Sequence, residues 1–260
     1  MFAVIRVYAL PKYVAEEELA DDAAVVIDVL RASTTMVTAL ASGAREIIPC
    51  QEVDEARQIA AKLPAEECLL GGERDGLPIE GFHLGNSPGE YSAQKVAGKT
   101  IVFTTSNGTR ALWRARKARR VLVAAFVNAS AVITELAGED RIHLICAGAD
   151  GRITHDDVLL AGMLVGRLQA LQPGSVELNA QAVTAYENWT YTFPLPYSQG
   201  AEPMPPELLA RQLRKGSAGQ RLMDLGREDD ILAAAQINRF GVVPEFFPHH
   251  GRIRALPGTV

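Results

Sequence analysis

Over its first 146 residues the chain alternates short, continuously apolar runs with segments of helical length. The predicted strands span residues 25–30, 46–50, 68–70, 100–104, 120–127 and 141–146, and the predicted helices span 34–42, 52–63, 109–117 and 130–137. This alternation is typical of an α/β fold with a largely parallel sheet. Continuously apolar strands are covered on both faces, so we expect a three-layer sandwich with a largely parallel or mixed central sheet.

The rest of the chain shows a different, mostly helical pattern with polar breaks. The predicted helices there span residues 156–171, 175–188, 206–214, 217–225 and 229–238. The proline-rich stretch 193–206 predicts a long surface loop, and residues 242–247 predict a short apolar tail. Because the chain has 260 residues, of which 48% are apolar, we expect a single α/β domain over residues 1–260 with a helical C-terminal portion from about residue 152.

Charge and composition argue against several classes of partner. The net charge of −5 provides no attraction for nucleic acid, and the basic run 114–120 is explained by a helix end, where positive charge interacts favourably with the helix dipole. No run is long enough to cross a membrane, and residues 1–13 lack the basic start of a signal peptide, so they predict a first strand. The three widely spaced cysteines indicate reduced thiols, so we expect a cytoplasmic protein.

A carboxylate interrupts the apolar stretch VVIDVLRASTTMV at residues 25–37. Asp28 lies near the carboxyl end of a predicted strand, where ligands bind in parallel α/β sheets. Arg31 adds a positive charge suited to phosphate or sulfonate, and Ser33 and Thr34 begin the next helix with hydroxyl groups and free backbone donors. The alternative is structural: Ser33 caps the helix, and Asp28 pairs with Arg31 inside the protein. Because a buried carboxylate needs a partner or a metal, we favour a functional site.

A second predicted strand runs into a polar turn in the stretch TIVFTTSNGTRAL, residues 100–112. The turn combines the hydroxyl, amide, glycine and basic residues that an anion site requires. The candidate binding residues are Thr105, Ser106, Asn107, Gly108, Thr109 and Arg110. The alternative is an ordinary helix cap. The turn matches neither GxxxxGK[ST] nor GxGxxG, so nucleotide binding has no direct support.

The stretch GGERDGLPIEGFHLGNSPGEY at residues 71–91 is a long, charged and glycine-rich connection. Such a connection is typical of a binding loop, and we take Glu73, Arg74 and Asn86 as its candidate functional residues. Its GNSPG segment formally matches the nucleophile elbow GxSxG. Pro88 excludes that role, because the residue after the serine must donate its backbone N–H to the oxyanion and proline has none.

A further strand end leads through CAGADGRITHDD, residues 146–157, into a helix that begins with Asp156 and Asp157. Acidic residues in a first helical turn usually complement the helix dipole, which is the structural alternative. The functional interpretation is that they converge with Asp28 and Glu73 on one edge of the sheet. Carboxylate oxygens suit Mg²⁺, which takes one or two carboxylates and leaves other positions to water and substrate phosphate.

Taken in order, these strings resemble the 2-phosphosulfolactate phosphatase family of coenzyme M biosynthesis. The resemblance runs through VVIDVLRASTT, LLGGERDGLPIEGFHLGNSPGEY, KTIVFTTSNGTRAL, VAAFVNASAV, ICAGADGRITHDDVLLAG, GSAGQRLMDLGREDDI and VVPEF. Family members often have RATST where this chain has RASTT, and Ser-Leu before the acidic pair where it has Thr154-His155. These departures concern substrate selectivity more than fold or chemistry.

The resemblance implies a Mg²⁺-dependent phosphatase that hydrolyses 2-phospho-3-sulfolactate to 3-sulfolactate and phosphate. We expect Asp28, Arg31 and Glu73 to be catalytic. The expected metal ligands are Asp28, Glu73 and one of Asp156 and Asp157. Arg31 and the 105–109 turn would stabilise the transferring phosphoryl group, and Arg74 and Arg110 would add positive charge for the substrate's other anionic groups. Asp28 is alternatively a covalent nucleophile, although the DxDxT pattern of that class is absent.

Two other functions fit the same residues. One is a phosphatase of this fold that acts on another phosphorylated hydroxy acid or on a sugar phosphate. The other is a non-catalytic anion-binding domain. In each case the expected ligand is a small phosphorylated anion, and the apolar chain with its helical second half makes a homodimer a reasonable expectation.

Overall fold

Eleven strands form one sheet in the computed structural model, which describes residues 3–171 and 174–259. The strands are β1 (Ala3–Tyr8), β2 (Ala23–Ile27), β3 (Glu46–Cys50), β4 (Cys68–Arg74), β5 (Leu77–Pro78), β6 (Thr100–Thr104), β7 (Arg120–Ala124), β8 (Arg141–Cys146), β9 (Val176–Leu178), β10 (Pro244–Phe247) and β11 (Arg252–Ala255). Their order across the sheet is β5-β4-β6-β3-β11-β10-β7-β2-β8-β1-β9. Most neighbours are parallel, as the sequence predicts, and the sheet is mixed because some pairs are antiparallel.

Antiparallel pairs occur in the middle of the sheet and at one edge, where β4 pairs with β5. β10 and β11 form a hairpin that pairs antiparallel with β7 on one side and with β3 on the other, through Phe246 opposite Val121 and Ile253 opposite Ile47. Phe246 is buried, and its ring meets that of Trp113 edge-on at 5.3 Å. The prediction of a short apolar tail at residues 242–247 was therefore wrong. These side chains complete the core between two parallel halves of the sheet, where their burial is favourable.

Eleven α-helices lie among the described residues. They are α1 (Ala32–Ala41), α2 (Val53–Ala60), α3 (Ala93–Val96), α4 (Gly108–Arg114), α5 (Ala129–Glu135), α6 (His155–Leu171), α7 (Ala180–Thr192), α8 (Leu195–Ser198), α9 (Pro206–Leu213), α10 (Ser217–Asp224) and α11 (Glu228–Ala234). None of the helices in the described part of the chain has the length and hydropathy needed to span a membrane.

Alternate residues of each central strand enter two separate cores. On β2, Ala24 and Val26 pack with α1 and α4, whereas Val25 and Ile27 pack with α5, α6 and the C-terminal helices. Because successive side chains of a strand point to opposite faces, a strand that is apolar at every position is covered on both sides. This arrangement is the three-layer α/β sandwich that the sequence predicts.

The boundaries of several elements differ from the prediction for identifiable reasons. β2 ends at Ile27 rather than at residue 30, because the backbone N–H of Val29 bonds to the carboxylate of Asp157 instead of a neighbouring strand. Residues 175–188, predicted as one helix, contain β9 and the start of α7. β9 pairs with β1 at the sheet edge, and Asn179 then caps α7 by accepting the Ala182 N–H. The loop predicted at 193–206 contains the short helix α8.

The fold brings four strand ends into one region even though they are not all neighbours. In the strand order, four strands separate β6 from β2, so sheet pairing does not join the two ends. The connection is made above the sheet by α4, whose first residue, Gly108, lies against Asp28 and Ala32. Loops and helix starts at the carboxyl edge therefore build the cavity described next.

Candidate active site

A cavity of about 730 Å³ opens at the carboxyl edge of the sheet. Its walls come from the segments that follow β2, β4, β6 and β8, together with the beginning of α10. The lining residues are Asp28, Leu30, Arg31, Glu73, Asp75, Gly76, Asn86, Ser106, Asn107, Gly148, Ala149, Asp150, Arg152, Thr154, Asp156, Asp157, Ser217, Ala218, Arg221 and Leu222. Eight of the residues that the sequence marks as candidates are among them.

Asp28 is the first residue after β2, and 8% of its surface is exposed. Its backbone N–H donates to Ser33 Oγ at 2.9 Å, and its Oδ1 accepts the Ala32 N–H at 3.2 Å, so the turn holds the carboxylate against the start of α1. Oδ2 accepts no hydrogen bond from any residue that the structure describes. The Asp28 carboxylate therefore presents one free oxygen at the cavity wall.

The two hydroxyl residues at the start of α1 serve the turn itself. Ser33 Oγ accepts the Asp28 N–H, and Thr34 Oγ1 donates to the Val29 carbonyl at 2.7 Å. Both side chains are buried and neither lines the cavity. The geometry thus gives Ser33 and Thr34 the supporting function that the sequence left open as an alternative.

The acidic pair at the start of α6 divides its oxygens between backbone and cavity. Asp157 accepts the N–H of Val29 at 2.9 Å and that of Gly148 at 3.0 Å, so it ties the end of β2 to the end of β8. Asp156 accepts the Leu30 N–H at 3.1 Å through Oδ2. Its Oδ1 is buried and accepts no hydrogen bond from the part of the chain that the structure describes. Asp156 and Asp28 therefore each have one carboxylate oxygen that accepts no hydrogen bond from the described residues.

Burial and mutual repulsion keep protons on these carboxylates more strongly than usual. Burial raises the pKa of Asp28 well above its ordinary value, and the negative charge of Asp157 raises it further. The pKa of Asp156 is raised for the same two reasons. Burial raises the pKa of Asp157 to about 6, against the opposing effect of the N–H groups of Val29 and Gly148. Such a cluster favours either shared protons or a bound cation.

Glu73 closes the loop after β4 onto the loop after β6. One carboxylate oxygen accepts the Ser106 N–H at 2.8 Å, and the other accepts the Gly76 N–H at 2.6 Å and the Ser106 hydroxyl at 3.3 Å. With both oxygens engaged, Glu73 shapes the wall formed by Ser106 and Gly76. To be the metal ligand that the sequence predicts, Glu73 would have to give up some of these hydrogen bonds for the bond to the metal.

Arg31 forms a buried ion pair with Asp230 of α11, at 2.8 Å, and not with Asp28. The two side chains are 6% and 4% exposed. Nη2 of Arg31 also donates to the Gly76 carbonyl at 2.9 Å, and the hydroxyl of Ser87 donates to Asp230. The sequence did not single out Asp230, and it considered Ser87 only as the serine of the GNSPG segment, a nucleophile that Pro88 excludes. Asp230 belongs to the string GREDDI, but nothing local indicates that it reaches a residue 199 positions away.

The turn between β6 and α4 contributes Ser106 and Asn107 to the cavity. Thr105 and Thr109 bond to each other across the turn, with the Thr109 N–H donating to Thr105 Oγ1 at 3.3 Å, so they act as a cap. Gly108 fits because a Cβ there would lie 2.6 Å from Asp28 Oδ2. The turn is therefore built to pack tightly against Asp28.

Two predicted anion-binding arginines lie outside the main cavity. Arg74 and Arg110 line a smaller depression of about 410 Å³ that shares Ser106 and Asn107 with it. Arg74 donates to the Thr104 hydroxyl at 2.8 Å, and Arg110 pairs with Glu52 at 3.1 Å. Inside the main cavity, the sequence missed Arg152 and Arg221. Asn86, which it did predict, lines the cavity with a buried and unpartnered Oδ1.

The donor set of the cavity limits how a metal ion could be held. Over residues 3–171 and 174–259, no three His, Cys, Asp or Glu side chains form a group that could hold a metal together. The free oxygens of Asp28 and Asp156 still fit a divalent cation of the Mg²⁺ type, which is often bound by one or two carboxylates, with water and substrate completing the coordination.

Comparisons with known proteins bear on the whole chain. The family model described as 2-phosphosulpholactate phosphatase matches residues 8–247. A protein of Symbiobacterium thermophilum named as a probable 2-phosphosulfolactate phosphatase is 42% identical over 231 residues, which cover 88% of this chain and 93% of that protein. A protein of the same name from Caldanaerobacter subterraneus subsp. tengcongensis is 35% identical, with 93% of this chain and 94% of that protein covered. One from Deinococcus radiodurans is 38% identical, with 91% and 94% covered.

Proposed function

Because this chain belongs to the 2-phosphosulfolactate phosphatase family, we propose that it hydrolyses the phosphate ester of 2-phospho-3-sulfolactate to 3-sulfolactate and inorganic phosphate. The observation that supports this reaction at the cavity is the pair of buried carboxylates, Asp28 and Asp156, which both line it and each keep one oxygen without a hydrogen-bond partner among the described residues. In the hydrolysis of a phosphate monoester, carboxylates of this kind can bind the cation that offsets the phosphoryl charge and can orient the attacking water.

The charges of the cavity support Mg²⁺ as the cofactor. Six carboxylates and three guanidinium groups line it, which leaves it about three charges negative when all are ionised. The substrate adds a phosphate, a carboxylate and a sulfonate, all of them anionic. Two anionic partners approach each other only when a cation lies between them. We propose that Asp28 and Asp156 hold that cation, which would supply Lewis-acid polarisation of the phosphoryl oxygens when bound.

The chain's own groups then have distinct tasks. Asp157 fixes the ends of β2 and β8, and so holds Asp28 and Asp156 in place. The guanidinium of Arg31, anchored by Asp230, provides a positive charge at the wall, where the phosphoryl group accumulates negative charge. With Oδ2 of Asp28 committed to holding the cation, the attacking water would be positioned for in-line displacement at phosphorus, and the ester oxygen would leave on the opposite side.

The same oxygen of Asp28 could attack phosphorus directly, which is the alternative mechanism. Trapping with hydroxylamine separates the two. A covalent aspartyl-phosphate yields a stable hydroxamate at Asp28, whereas attack by water yields none.

Phosphate release by the purified protein tests the proposal. We expect turnover of 2-phospho-3-sulfolactate with Mg²⁺, loss of turnover in excess EDTA, and recovery when Mg²⁺ is restored. Mg²⁺ should also raise the melting temperature of the wild-type protein but not that of Asp28→Asn, which provides a readout independent of turnover. Turnover that survives EDTA would remove the metal from the proposal. Failure to release phosphate from this ester, with release from other phosphorylated hydroxy acids, would move the substrate assignment.

A further inference from the structure

Two arginines of the cavity pair with no carboxylate among residues 3–171 and 174–259. Arg152 lies in the tight turn between β8 and α6, where Ala149 and Arg152 bond to each other through their backbones, and its side chain is exposed. Within the described residues, its guanidinium makes no ion pair and no hydrogen bond. The guanidinium of Arg221, on α10, makes one hydrogen bond to a described residue, the Asp75 carbonyl, at 3.0 Å. Both line the cavity.

This lack of partners is unusual for the cavity. The third cavity arginine, Arg31, is buried and held by the carboxylate of Asp230. Arg31 and Arg221 bond to consecutive carbonyls, those of Gly76 and Asp75, so both guanidinium groups lie at the same turn after β4. Among the guanidinium donors that line the cavity, those of Arg152 and most of those of Arg221 have no partner in the described part of the chain. Free guanidinium groups beside a cavity are suited to an anionic ligand.

The chemistry of the donors indicates which part of the ligand they take. A guanidinium group is planar, carries five N–H donors and is weakly hydrated, so it prefers weakly hydrated oxyanions. A sulfonate has three oxygens and is always ionised, so it can accept from two guanidinium groups at once. A carboxylate has two oxygens, which one guanidinium already satisfies. The phosphate is assigned to the cation that Asp28 and Asp156 would hold. The cavity's negative charge would repel the substrate's second anionic group unless a positive side chain lies next to that group.

We propose that Arg152 and Arg221 bind the sulfonate of the substrate, and that they set the enzyme's preference for a sulfonated ester. The hydroxyl of Ser217, at the start of α10 and in the same lining, is a third donor to this group. The identity of the ligand rests on the proposed function. The string GSAGQR thereby gains a function, since it carries both Ser217 and Arg221.

Two substrates and two variants test the assignment. The substrates are 2-phospho-3-sulfolactate and 2-phospholactate, which differ only in the sulfonate. In Arg152→Gln and Arg221→Gln, we expect the ratio of kcat/KM for the sulfonated over the plain ester to fall roughly 10- to 100-fold, mainly through KM. Arg211→Gln, an exposed arginine of α9 outside the cavity, is the matched control and should keep the wild-type ratio. An unchanged ratio in both variants would overturn the proposal, as would an equal loss with both esters.

Calorimetry keeps this test separate from the proposed function. Binding of 3-sulfolactate and of lactate to the wild-type protein and the variants is measured with Mg²⁺ present. We expect 3-sulfolactate to bind more tightly than lactate, and the difference to fall about tenfold or more in each variant. If the wild-type protein hydrolyses neither ester but this pattern holds, the phosphatase assignment fails and the sulfonate site stands. If 3-sulfolactate binds no better than lactate, the sulfonate site fails whatever the activity.

Discussion

Replacing Gly108 by alanine tests how tightly the start of α4 packs against the carboxylate of Asp28. A Cβ at residue 108 would lie 2.6 Å from Asp28 Oδ2 and 2.7 Å from the Cβ of Ala32, both well below van der Waals contact. The φ of Gly108 is not in the left-handed region, so alanine is excluded by space alone. Asp28 could yield by rotating, but Ala32 belongs to α1 and yields only if that helix moves.

The magnitude follows from the kind of contact that is violated. Inserting one methyl group into a packed site costs about 1–3 kcal/mol. For a domain of this size, each kcal/mol lowers the melting temperature by roughly 2–4 °C. The free oxygen of Asp28 must also move, and a displacement of about 1 Å at a reacting group can reduce the rate ~100-fold. We therefore expect a modest loss of stability together with a large loss of kcat/KM.

Thermal unfolding and phosphate release from 2-phospho-3-sulfolactate measure the two effects in the same samples. Gly174→Ala is the matched control, because a Cβ there meets no atom of the described residues within 4 Å and its φ is also outside the left-handed region. It should retain the melting temperature and the activity of the wild-type protein. If Gly108→Ala matches this control in both measurements, the close packing of α4 on Asp28 is refuted, and with it the geometry assigned to the site.

Two further substitutions address the charges of the site. Asp230→Ala leaves Arg31 buried without its partner and should lower the free energy of unfolding, measured in urea, by about 3–5 kcal/mol. The double variant Arg31→Met with Asp230→Leu should recover much of that loss. A loss below about 1 kcal/mol for Asp230→Ala would contradict the buried pair. Asp28→Asn should abolish phosphate release yet raise stability in EDTA by ~0.5–2 kcal/mol at neutral pH. Because the folded-state pKa of Asp28 is raised, ionisation of Asp28 costs the wild-type protein stability as the pH rises above about 4. The stability advantage of Asp28→Asn over the wild-type protein should therefore vanish at acidic pH. An equal advantage at all pH values would show that the charge of Asp28 is not its cause.

The stability that Asp28→Asn is expected to gain has a simple origin. Asp28, Asp156 and Asp157 are buried side by side, and burial and like charge raise the pKa of each of the first two. A neutral side chain that still accepts a hydrogen bond would remove this repulsion at Asp28, whereas Asp157 is needed by the backbone N–H groups of Val29 and Gly148. The cost of burying these charges together is expected of a site that performs chemistry.

Much of the fold could be predicted because its signals are local. The continuous apolar runs of β2, β6, β7 and β8 mark strands covered on both faces, and their hydrophobic pattern is a property of adjacent residues. Polar residues directly after these runs, such as Asp28 and Ser106, fall at the carboxyl edge of a parallel sheet by topology alone. For the same reason the sequence indicated Asp156, Asp157 and Glu73 as members of one region, and the structure places them around one cavity.

The partners and positions of these side chains depend on how the chain packs in three dimensions. The hairpin of β10 and β11 enters the centre of the sheet because β3 and β7 leave a gap that its apolar side chains fill, and no pattern within residues 242–255 reports that gap. Arg74 and Arg110 point to a neighbouring depression because of partners elsewhere in the chain.

The same division holds at the level of single atoms. The sequence by itself determined that carboxylates, hydroxyls and an arginine would meet at strand ends, since periodicity and strand polarity require it. The sequence could not show that both oxygens of Asp157 accept backbone N–H groups, whereas one oxygen of Asp156 has no partner among the described residues, or that Arg31 pairs with Asp230. Those outcomes depend on distances between segments far apart in the chain, and they are settled only when the two cores pack.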